Sequence, residues 1–333
     1  MNKSYSLRFF GGIWAFILAL IVVNIPWLIN LSYYHELDPF AYVRMLDIGG
    51  YENSLKFDFS NIFSYVSNEW LWRKIIIFLE NFGFGSETIF FIVLPLIIYF
   101  LNFYILFEKK KLIYAWILVH PLGLMFYFNQ LRMALAISLV ALLMIIPRNK
   151  YYYLLFLPLC LIHSSILIFL IVFFTIDLIL EKVNNNNVII FLLIFMGILL
   201  AYITGPMIEH ILTSLGDRRA EHYGTNEWNS SLLSSLYWGL ILAIFVFCSV
   251  FYEKKITFEV AITIVFTSLV VISPFFVGGY PYRFLTAIFL FFIVSIKQLP
   301  KISRYAVIFL LAFSFVYQGI NELNWMKSLM EIF

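Results

Sequence analysis

Two arginines open apolar runs of the chain, where each could bind an anion. Arg132 ends the string FNQLR and begins a run that reaches Pro147, and Arg283 lies in the string GGYPYRF before another run. A helix N-terminus carries free N–H groups and a partial positive charge, and a guanidinium holds a phosphate with paired hydrogen bonds. The two arginines together predict a site for an anionic headgroup. Taken singly, Arg132 also fits an arginine that extends to the membrane interface, and Arg283 an ordinary loop charge.

His163 lies between two short apolar runs, in the string LIHSS. Because imidazole gains and loses a proton near neutral pH, this histidine is a candidate general base. A structural histidine that hydrogen-bonds a loop carbonyl fits the same position. His120, beside Pro121 in the middle of an apolar run, is expected to pack at a kink.

Two polar segments between apolar runs add groups that could bind a sugar or a phosphate. We name them the first polar segment, residues 32–86, and the second polar segment, residues 204–231. The first offers hydroxyl-binding groups and aromatic rings that could stack on sugars or anchor at the membrane interface. The second is dense in ionisable groups that could cover the site, and a solvated loop explains it as well. The candidates are Asp47, Tyr51 and Glu69 in the first segment, and Arg218 and Arg219 in the second.

The remaining residues give no sign of a metal or cofactor site. Cys160 and Cys248 both lie in apolar runs and are expected to pack as small hydrophobic side chains. The sequence contains no His, Cys and Asp residues at the spacing of metal ligands and no glycine-rich nucleotide motif. We therefore expect neither metal nor cofactor. A hydrolase with paired carboxylates stays open, because nothing fixes which carboxylates pair.

The composition places these groups in a membrane protein. Of the 333 residues, 63% are hydrophobic and 12% are charged, with a mean hydropathy of +0.93. Soluble domains carry about 25% charged residues, so this chain lacks the polar surface of one. Runs such as Ile89–Phe107 are continuously apolar, unlike the alternating strands of a β-barrel. The chain is predicted to be an all-α polytopic membrane protein, and its net charge of +3 gives no reason to expect nucleic acid as a partner.

About eleven transmembrane helices, some short or broken, are predicted from apolar runs near the length of about 20 residues that a span needs. The first is expected to be an uncleaved span. The predicted spans lie at about Gly11–Leu31, Glu87–Phe107, Leu112–Phe128, Met133–Pro147, Tyr151–Ile162, Ser164–Leu180, Val188–Ile203, Leu232–Phe251, Ile256–Val277, Phe284–Ile296 and Tyr305–Ile320.

The distribution of Lys and Arg predicts the orientation. A cytoplasmic N-terminus puts thirteen of them on the cytoplasmic side and nine on the other. Residues 151–180 could also form one helix of about 45 Å, which reverses the later topology and gives an eleven-to-eleven split. Two short helices that meet near His163 are preferred. Residues 1–333 are thus expected to form one integral membrane domain with both polar segments on the outer face.

These strings resemble, in order, the motifs of Wzy-type O-antigen polymerases and the related EpsG-type proteins. FNQLRMALA is similar to their N-x-x-R-x-x-x-A signature, LIHSS to the A-x-x-F/I-H-x-S element, and PYRF to the late P-x-R-F/Y element. In the first polar segment, DIGGY is similar to the D-x-x-x-Y element of this family, and NEWL also resembles its sequences. Met133 and Leu161 stand where the family often has Gln and Ala. The resemblance covers about residues 45–290.

The resemblance implies a GT-C-like membrane glycosyltransferase in the bacterial cytoplasmic membrane, active at the periplasmic face. Such proteins transfer a growing glycan from undecaprenyl diphosphate to the non-reducing end of the next lipid-linked repeat unit. The implied partners are that lipid-linked oligosaccharide, membrane lipids and a chain-length regulator, with no nucleic acid, metal or cofactor. The implied site residues are Arg132, His163 and Arg283 for catalysis, and Asp47, Tyr51, Glu69, Asn129, Arg218, Arg219 and Tyr282 for substrate binding.

The charges of the candidate residues agree with this chemistry, and some of their roles stay open. Breaking a sugar–diphosphate bond leaves negative charge on phosphate oxygens, which Arg132 and Arg283 would stabilise. His163 would deprotonate the acceptor hydroxyl or orient a neighbour, and a carboxylate such as Asp47 or Glu69 is the rival base. Three other functions stay open: an O-antigen ligase or another lipid-diphosphate glycosyltransferase, a flippase or transporter without chemistry, and a membrane acyltransferase.

Overall fold

The computed structural model describes residues 3–25, 38–54, 62–146, 152–207, 210, 213, 232–252, 255–276 and 281–330. Within these ranges every regular element is a helix. The chain divides into two compact units, one of residues Met1–Leu170 and Leu311–Phe333, the other of residues Ile171–Leu310. Each unit is described by itself below.

Seventeen helices are numbered here in chain order, within the described ranges. Two of them, α7 and α10, are 3-10 helices, and α11 and α17 extend across the boundary between the units. They are α1 (Lys3–Asn24), α2 (Asp38–Asp47), α3 (Gly50–Ser54), α4 (Ile62–Ser67), α5 (Trp70–Asn81), α6 (Ser86–Glu108), α7 (Leu112–Val119), α8 (Pro121–Asn129), α9 (Leu131–Leu143), α10 (Tyr152–Leu161), α11 (Ile166–Lys182), α12 (Asn186–Thr204), α13 (Leu232–Phe251), α14 (Phe258–Phe275), α15 (Pro281–Ala287), α16 (Phe289–Ile296) and α17 (Lys301–Met330).

The chain is an all-helical polytopic membrane protein in its described part, as the composition predicts. Among the residues that the structure describes, four helices are long and apolar enough to cross a membrane: α6, α12, α13 and α14. The pair α7 and α8 adds a fifth candidate, bent by 73° between Val119 and Pro121. Phe10–Asn24, α9 and α10 are shorter apolar helices. The bend confirms the predicted kink at His120, whose ring accepts the N–H of Leu122 at 3.2 Å.

The predicted count of eleven spans exceeds these candidates because several apolar runs form shorter helices than expected. The run at 133–147 is helical only to Leu143, and α9 with 13 residues extends about 20 Å. The run at 284–296 is divided at Ile288 between α15 and α16. At 151–180 the predicted break is confirmed, because α10 ends at Leu161 and α11 begins at Ile166, with His163 between them.

In the first unit, α6 packs between α1 and α9. A Cβ built on Gly11 of α1 would come within 2.2 Å of the Phe107 ring, so the helices approach closely there. On the other side, buried Asn102 of α6 donates to the hydroxyl of Ser138 on α9 at 2.8 Å. These contacts fix α9, which carries Arg132 at its second position.

The first polar segment is largely helical where it is described, and aromatic rings attach it to α6. Phe90, fully buried in a π-helical turn of α6, lies 5.4 Å from the Tyr42 ring and 6.4 Å from the rings of Tyr51 and Trp72. Helices α2, α3 and α5 are therefore held over the start of one candidate span. This packing positions the residues of the site.

In the second unit, α14 is the most buried candidate span and packs against α12, α13 and α16. Gly197 of α12 permits the close approach, since an added Cβ would lie 2.6 Å from the Val265 carbonyl oxygen. The hydroxyls of Thr263 and Ser295 lie 3.0 Å apart between α14 and α16. Small residues and interhelical hydrogen bonds of this kind stabilise helix packing in membranes.

Candidate functional site

Glu69 occupies an unusual position at the start of α5. Its backbone is left-handed, with φ 50° and ψ 52°, a conformation that costs an ordinary residue about 1–2 kcal/mol. Its carbonyl oxygen accepts the N–H of Arg73 in the first turn of the helix. Only 4% of the residue is exposed. The fold thus holds a carboxylate in a buried place at the cost of local strain, as functional sites often do.

Arg132 of α9 is the cation that faces this carboxylate. Its Nη1 is paired with Oε2 of Glu69. Its Nε–H donates to the hydroxyl oxygen of Tyr42 at 2.8 Å, and the guanidinium lies 5.1 Å from the centre of that ring. The Arg132 side chain is 30% exposed, against 5% for Glu69, and its Nη2 has no hydrogen bond to a described residue. One edge of the guanidinium is therefore open to a ligand.

His163, in the turn between α10 and α11, lies on the other side of Glu69. Its Nε2 is 3.9 Å from Oε1 of Glu69. Its Nδ1 accepts the backbone N–H of Ser165 at 3.2 Å and lies 2.7 Å from the Ser165 hydroxyl. A backbone N–H can only donate, so Nδ1 carries the lone pair and the proton of neutral imidazole is on Nε2. The ring thus points its N–H towards the carboxylate.

A second tier of contacts holds Tyr42 in place. The Tyr42 hydroxyl donates to Oδ2 of Asp38 at 3.3 Å, and the backbone N–H of Asp38 donates to Oδ1 of Asn129 at 2.9 Å. Asn129 therefore satisfies a free N–H at the start of α2, and that helix carries the tyrosine that orients Arg132. Asn129 and Arg132, the first and last residues of the NQLR string, are therefore also connected through α2.

The phenols of this cluster are neutral hydrogen-bond donors. Burial raises the pKa of Tyr42 well above its ordinary value of 10, although the Arg132 charge acts in the opposite direction. Burial also raises the pKa of Tyr51 to about 12. Neither hydroxyl can serve as a base near neutral pH. The groups of the cluster that could accept a proton are therefore the carboxylates of Glu69 and Asp38 and the imidazole of His163.

The structure brings only some of the predicted site residues together. Arg132, Glu69 and His163 meet directly, and Asn129 joins them through Asp38. Tyr51 is buried nearby and Asp47 is exposed at the end of α2. Tyr282 and Arg283 lie at the beginning of α15 in the second unit, half-buried. Arg218 and Arg219 lie outside the described residues.

Four contributors escaped the sequence-based prediction: Asp38, Tyr42, Ser165 and the buried Arg73. The spacing of four between Asp38 and Tyr42 on one helix was the available signal for the tyrosine. Arg73 follows Glu69 by one helical turn and is 6% exposed, and its charge acts on the Tyr51 phenol. No signal in the sequence distinguishes it from the interfacial lysines and arginines.

Among the residues that the structure describes, no three His, Cys, Asp or Glu side chains are grouped so as to hold a metal ion. Cys160 and Cys248 are both buried. The cluster brings together a guanidinium, a carboxylate and an imidazole.

The chain was compared with known proteins and family models. No curated protein and no solved structure matches it significantly. The model of the EpsG family matches residues 16–330, a range that contains every residue of the cluster. With nearly the whole chain matched, the protein belongs to the EpsG family, which is linked to exopolysaccharide synthesis.

Proposed function

We propose that this protein is a glycosyltransferase that polymerises oligosaccharide repeat units carried on undecaprenyl diphosphate. The observation that carries the proposal is the contact of Arg132, Glu69 and His163 in a membrane protein of the EpsG family. Transfer of the growing glycan to the next lipid-linked unit needs a cation for the leaving diphosphate and a base for the attacking hydroxyl. The cluster supplies both within a few ångströms.

Arg132 is suited to the leaving group. As the bond between the sugar and the diphosphate breaks, negative charge grows on the phosphate oxygens, and a preorganised guanidinium stabilises that charge more in the transition state than in the ground state. Tyr42 holds the Nε edge, which leaves Nη2 for a phosphate oxygen. An arginine already fixed in place loses little freedom when the ligand arrives.

The acceptor hydroxyl must lose its proton when it attacks the anomeric carbon. The phenols stay protonated. Glu69 is paired with Arg132 and His163 faces Glu69, so these two groups lie next to the guanidinium, whereas the Asp38 carboxylate is bonded to the Tyr42 hydroxyl. Asp47, the other carboxylate considered from the sequence, is exposed at the end of α2. The proposed base therefore belongs to the Glu69–His163 pair.

Other residues keep the roles that the sequence predicts for them, as parts of this proposal. Arg283, with Tyr282, supplies a second cation for a diphosphate, and Arg218 and Arg219 cover it. Tyr51 and Asn129 support the substrate pocket. The full topology has about eleven spans of a GT-C-like protein in the bacterial cytoplasmic membrane, with a cytoplasmic N-terminus and a periplasmic active face. Its partners are the lipid-linked oligosaccharide, membrane lipids and a chain-length regulator.

The test uses purified full-length protein in detergent or nanodiscs. The substrate is the lipid-linked repeat unit that accumulates in a strain lacking this gene, and products are separated by gel and weighed by mass spectrometry. Wild-type protein should give a ladder of glycans without added nucleotide sugar, and Arg132→Ala should give none. Arg44→Ala, which removes an exposed arginine of α2, is the matched control and should behave as wild type.

Two outcomes contradict the proposal. Wild-type protein that consumes no lipid-linked unit would remove the glycosyltransferase assignment. A ladder of normal length from Arg132→Ala at normal protein level would remove the cluster from the reaction. Transfer of one glycan to a different acceptor, without a ladder, would instead identify a ligase with the same chemistry.

A further inference from the structure

We infer that Glu69, not His163, is the general base, and that the donor's diphosphate activates it by competing for Arg132. The inference rests on the proposed glycosyl transfer and names the residue that receives the proton in it. His163 becomes a positioning residue, and Ser165 fixes its tautomer.

The imidazole of His163 has no lone pair available for an incoming hydroxyl in this arrangement. Neutral histidine has one ring nitrogen with a lone pair, and here that nitrogen is Nδ1, which accepts the backbone N–H of Ser165 at 3.2 Å. The serine hydroxyl, 2.7 Å away, competes for the same lone pair. The other nitrogen, Nε2, carries the proton and faces Glu69 at 3.9 Å. To act as a base, the ring would have to break both contacts with Ser165 and turn over.

The carboxylate of Glu69 has the opposite properties. Each of its oxygens has two lone pairs, so contact with Arg132 at Oε2 and with His163 at Oε1 does not exhaust its accepting capacity. Its side chain is held in place by burial and by the pairing of Oε2 with Arg132. A buried carboxylate remains charged only while nearby positive charge and N–H donors compensate for lost water.

Arg132 provides that compensation and is also the group that a diphosphate would bind. The arginine is the more exposed partner, at 30% against 5%, so an anion reaches the guanidinium before it reaches the carboxylate. A bound diphosphate shares the guanidinium with Glu69 and adds negative charge beside it. Both effects favour the protonated carboxyl group. Glu69 is therefore a poor base in the empty site and a better one when the donor is bound.

In the proposed transfer, Glu69 receives the proton and the diphosphate keeps the electron pair of the broken bond. The oxygen of the acceptor hydroxyl forms a bond to the anomeric carbon of the donor sugar, and its proton passes to a Glu69 oxygen. The bond between that carbon and the phosphate oxygen breaks, and its electron pair stays on the undecaprenyl diphosphate, which Arg132 stabilises. Departure of the lipid restores the ion pair, and the proton is released to water.

The experiment separates binding from turnover with two defined substrates. The donor is a lipid-linked unit whose acceptor hydroxyl is methylated, so that it can only donate. The acceptor is a fluorescent lipid-linked unit whose sugar–phosphate oxygen is replaced by a methylene group, so that it can only accept. Glu69→Gln keeps an amide in contact with its neighbours but cannot take a proton. We expect its kcat to fall at least about 100-fold, while the KM for the donor changes only a few-fold. Glu80→Gln, an exposed carboxylate of the same helix, is the control and should match wild type.

Two variants of the histidine decide its role. In His163→Gln, the side-chain amide N–H can replace the Nε2–H that faces Glu69, whereas the alanine of His163→Ala has no side-chain donor. A positioning histidine predicts clearly higher kcat for the glutamine variant than for the alanine variant. Equal, near-complete loss in both variants would make His163 the base and overturn the inference.

The failures are distinguishable. If wild-type protein transfers no glycan between the two substrates, the proposed function fails. If wild-type protein transfers glycan and Glu69→Gln does so at a similar rate, the function stands and Glu69 is not the base. Should Glu69→Gln not accumulate in the membrane, the comparison of the two His163 variants decides the question alone.

Discussion

Replacing Tyr42 by Phe tests how the site holds its arginine. The change removes one oxygen, which accepts the Nε–H of Arg132 at 2.8 Å and donates to Asp38 at 3.3 Å. The ring remains, and so do its contact with the guanidinium and its packing against Phe90. The variant therefore isolates a single hydrogen bond to a charged group.

The size of the effect follows from the geometry. A hydrogen bond to a charged group contributes about 1.5–3 kcal/mol, and the lower value applies because water can reach the partly exposed Arg132 side chain. The bond to Asp38 is long and adds little. A loss of about 1.5 kcal/mol in the transition state corresponds to a fall of about tenfold in kcat/KM.

The assay is the two-substrate transfer reaction, with the melting temperature of the detergent-solubilised protein as a second measurement. Tyr104→Phe removes a hydroxyl from α6 away from the cluster and should leave kcat/KM unchanged. An unchanged kcat/KM in Tyr42→Phe would refute the role of the Nε contact. A tenfold loss accompanied by a large fall in melting temperature would assign the hydroxyl to stability.

Three further predictions concern packing, pH and charge. Gly197→Ala should lower the melting temperature by the equivalent of about 1–3 kcal/mol through overpacking, whereas Gly239→Ala, with no atom nearer than 3.8 Å to the new Cβ, should not. Burial raises the pKa of Tyr51 from 10 to about 12, so with rising pH the phenol loses its proton in the unfolded chain before it does so in the folded protein. The stability of the fold should therefore decrease between pH 10 and 12. Tyr51→Phe should reduce the accompanying fall in melting temperature by the equivalent of roughly 3 kcal/mol. Arg132→Met should lower the melting temperature because it removes the positive charge paired with a buried carboxylate. Arg132→Met combined with Glu69→Leu should restore the melting temperature but not activity, and a double variant less stable than the single one would contradict the pairing.

Much of the architecture is encoded in composition and in a few polar residues. Long apolar runs predict α6, α12, α13 and α14 because backbone groups in lipid are satisfied only within helices or closed barrels. The break at His163 is predicted because one continuous helix would be too long for the membrane core. The geometry inside a run is not predicted, since a stretch that is apolar on every side has no periodicity to reveal a 3-10 helix or the division at Ile288.

The sequence predicts several residues of the candidate site but few of the contacts between them. Arg132 and His163 stand out because charged and titratable groups are rare beside apolar runs. Glu69 is one of several carboxylates in the first polar segment. It is buried and its backbone is left-handed, and no neighbouring residue type predicts that conformation. The tautomer of His163 depends on the backbone N–H of Ser165, which sequence alone cannot orient. The sequence therefore predicts which residues belong to the site, whereas the contacts between them are seen only in the structure.

The ion pair of Arg132 and Glu69 is better explained by chemistry than by stability. Two charges removed from water lose hydration that their attraction repays only in part, so well-packed apolar side chains would join α5 and α9 at least as well. Glu69 adds backbone strain to that cost. The pair is also asymmetric, with the guanidinium several times more exposed than the carboxylate. In the proposed reaction the diphosphate would therefore meet the cation first and act on the carboxylate through it. This is the order required if the base is to act only after the donor has bound.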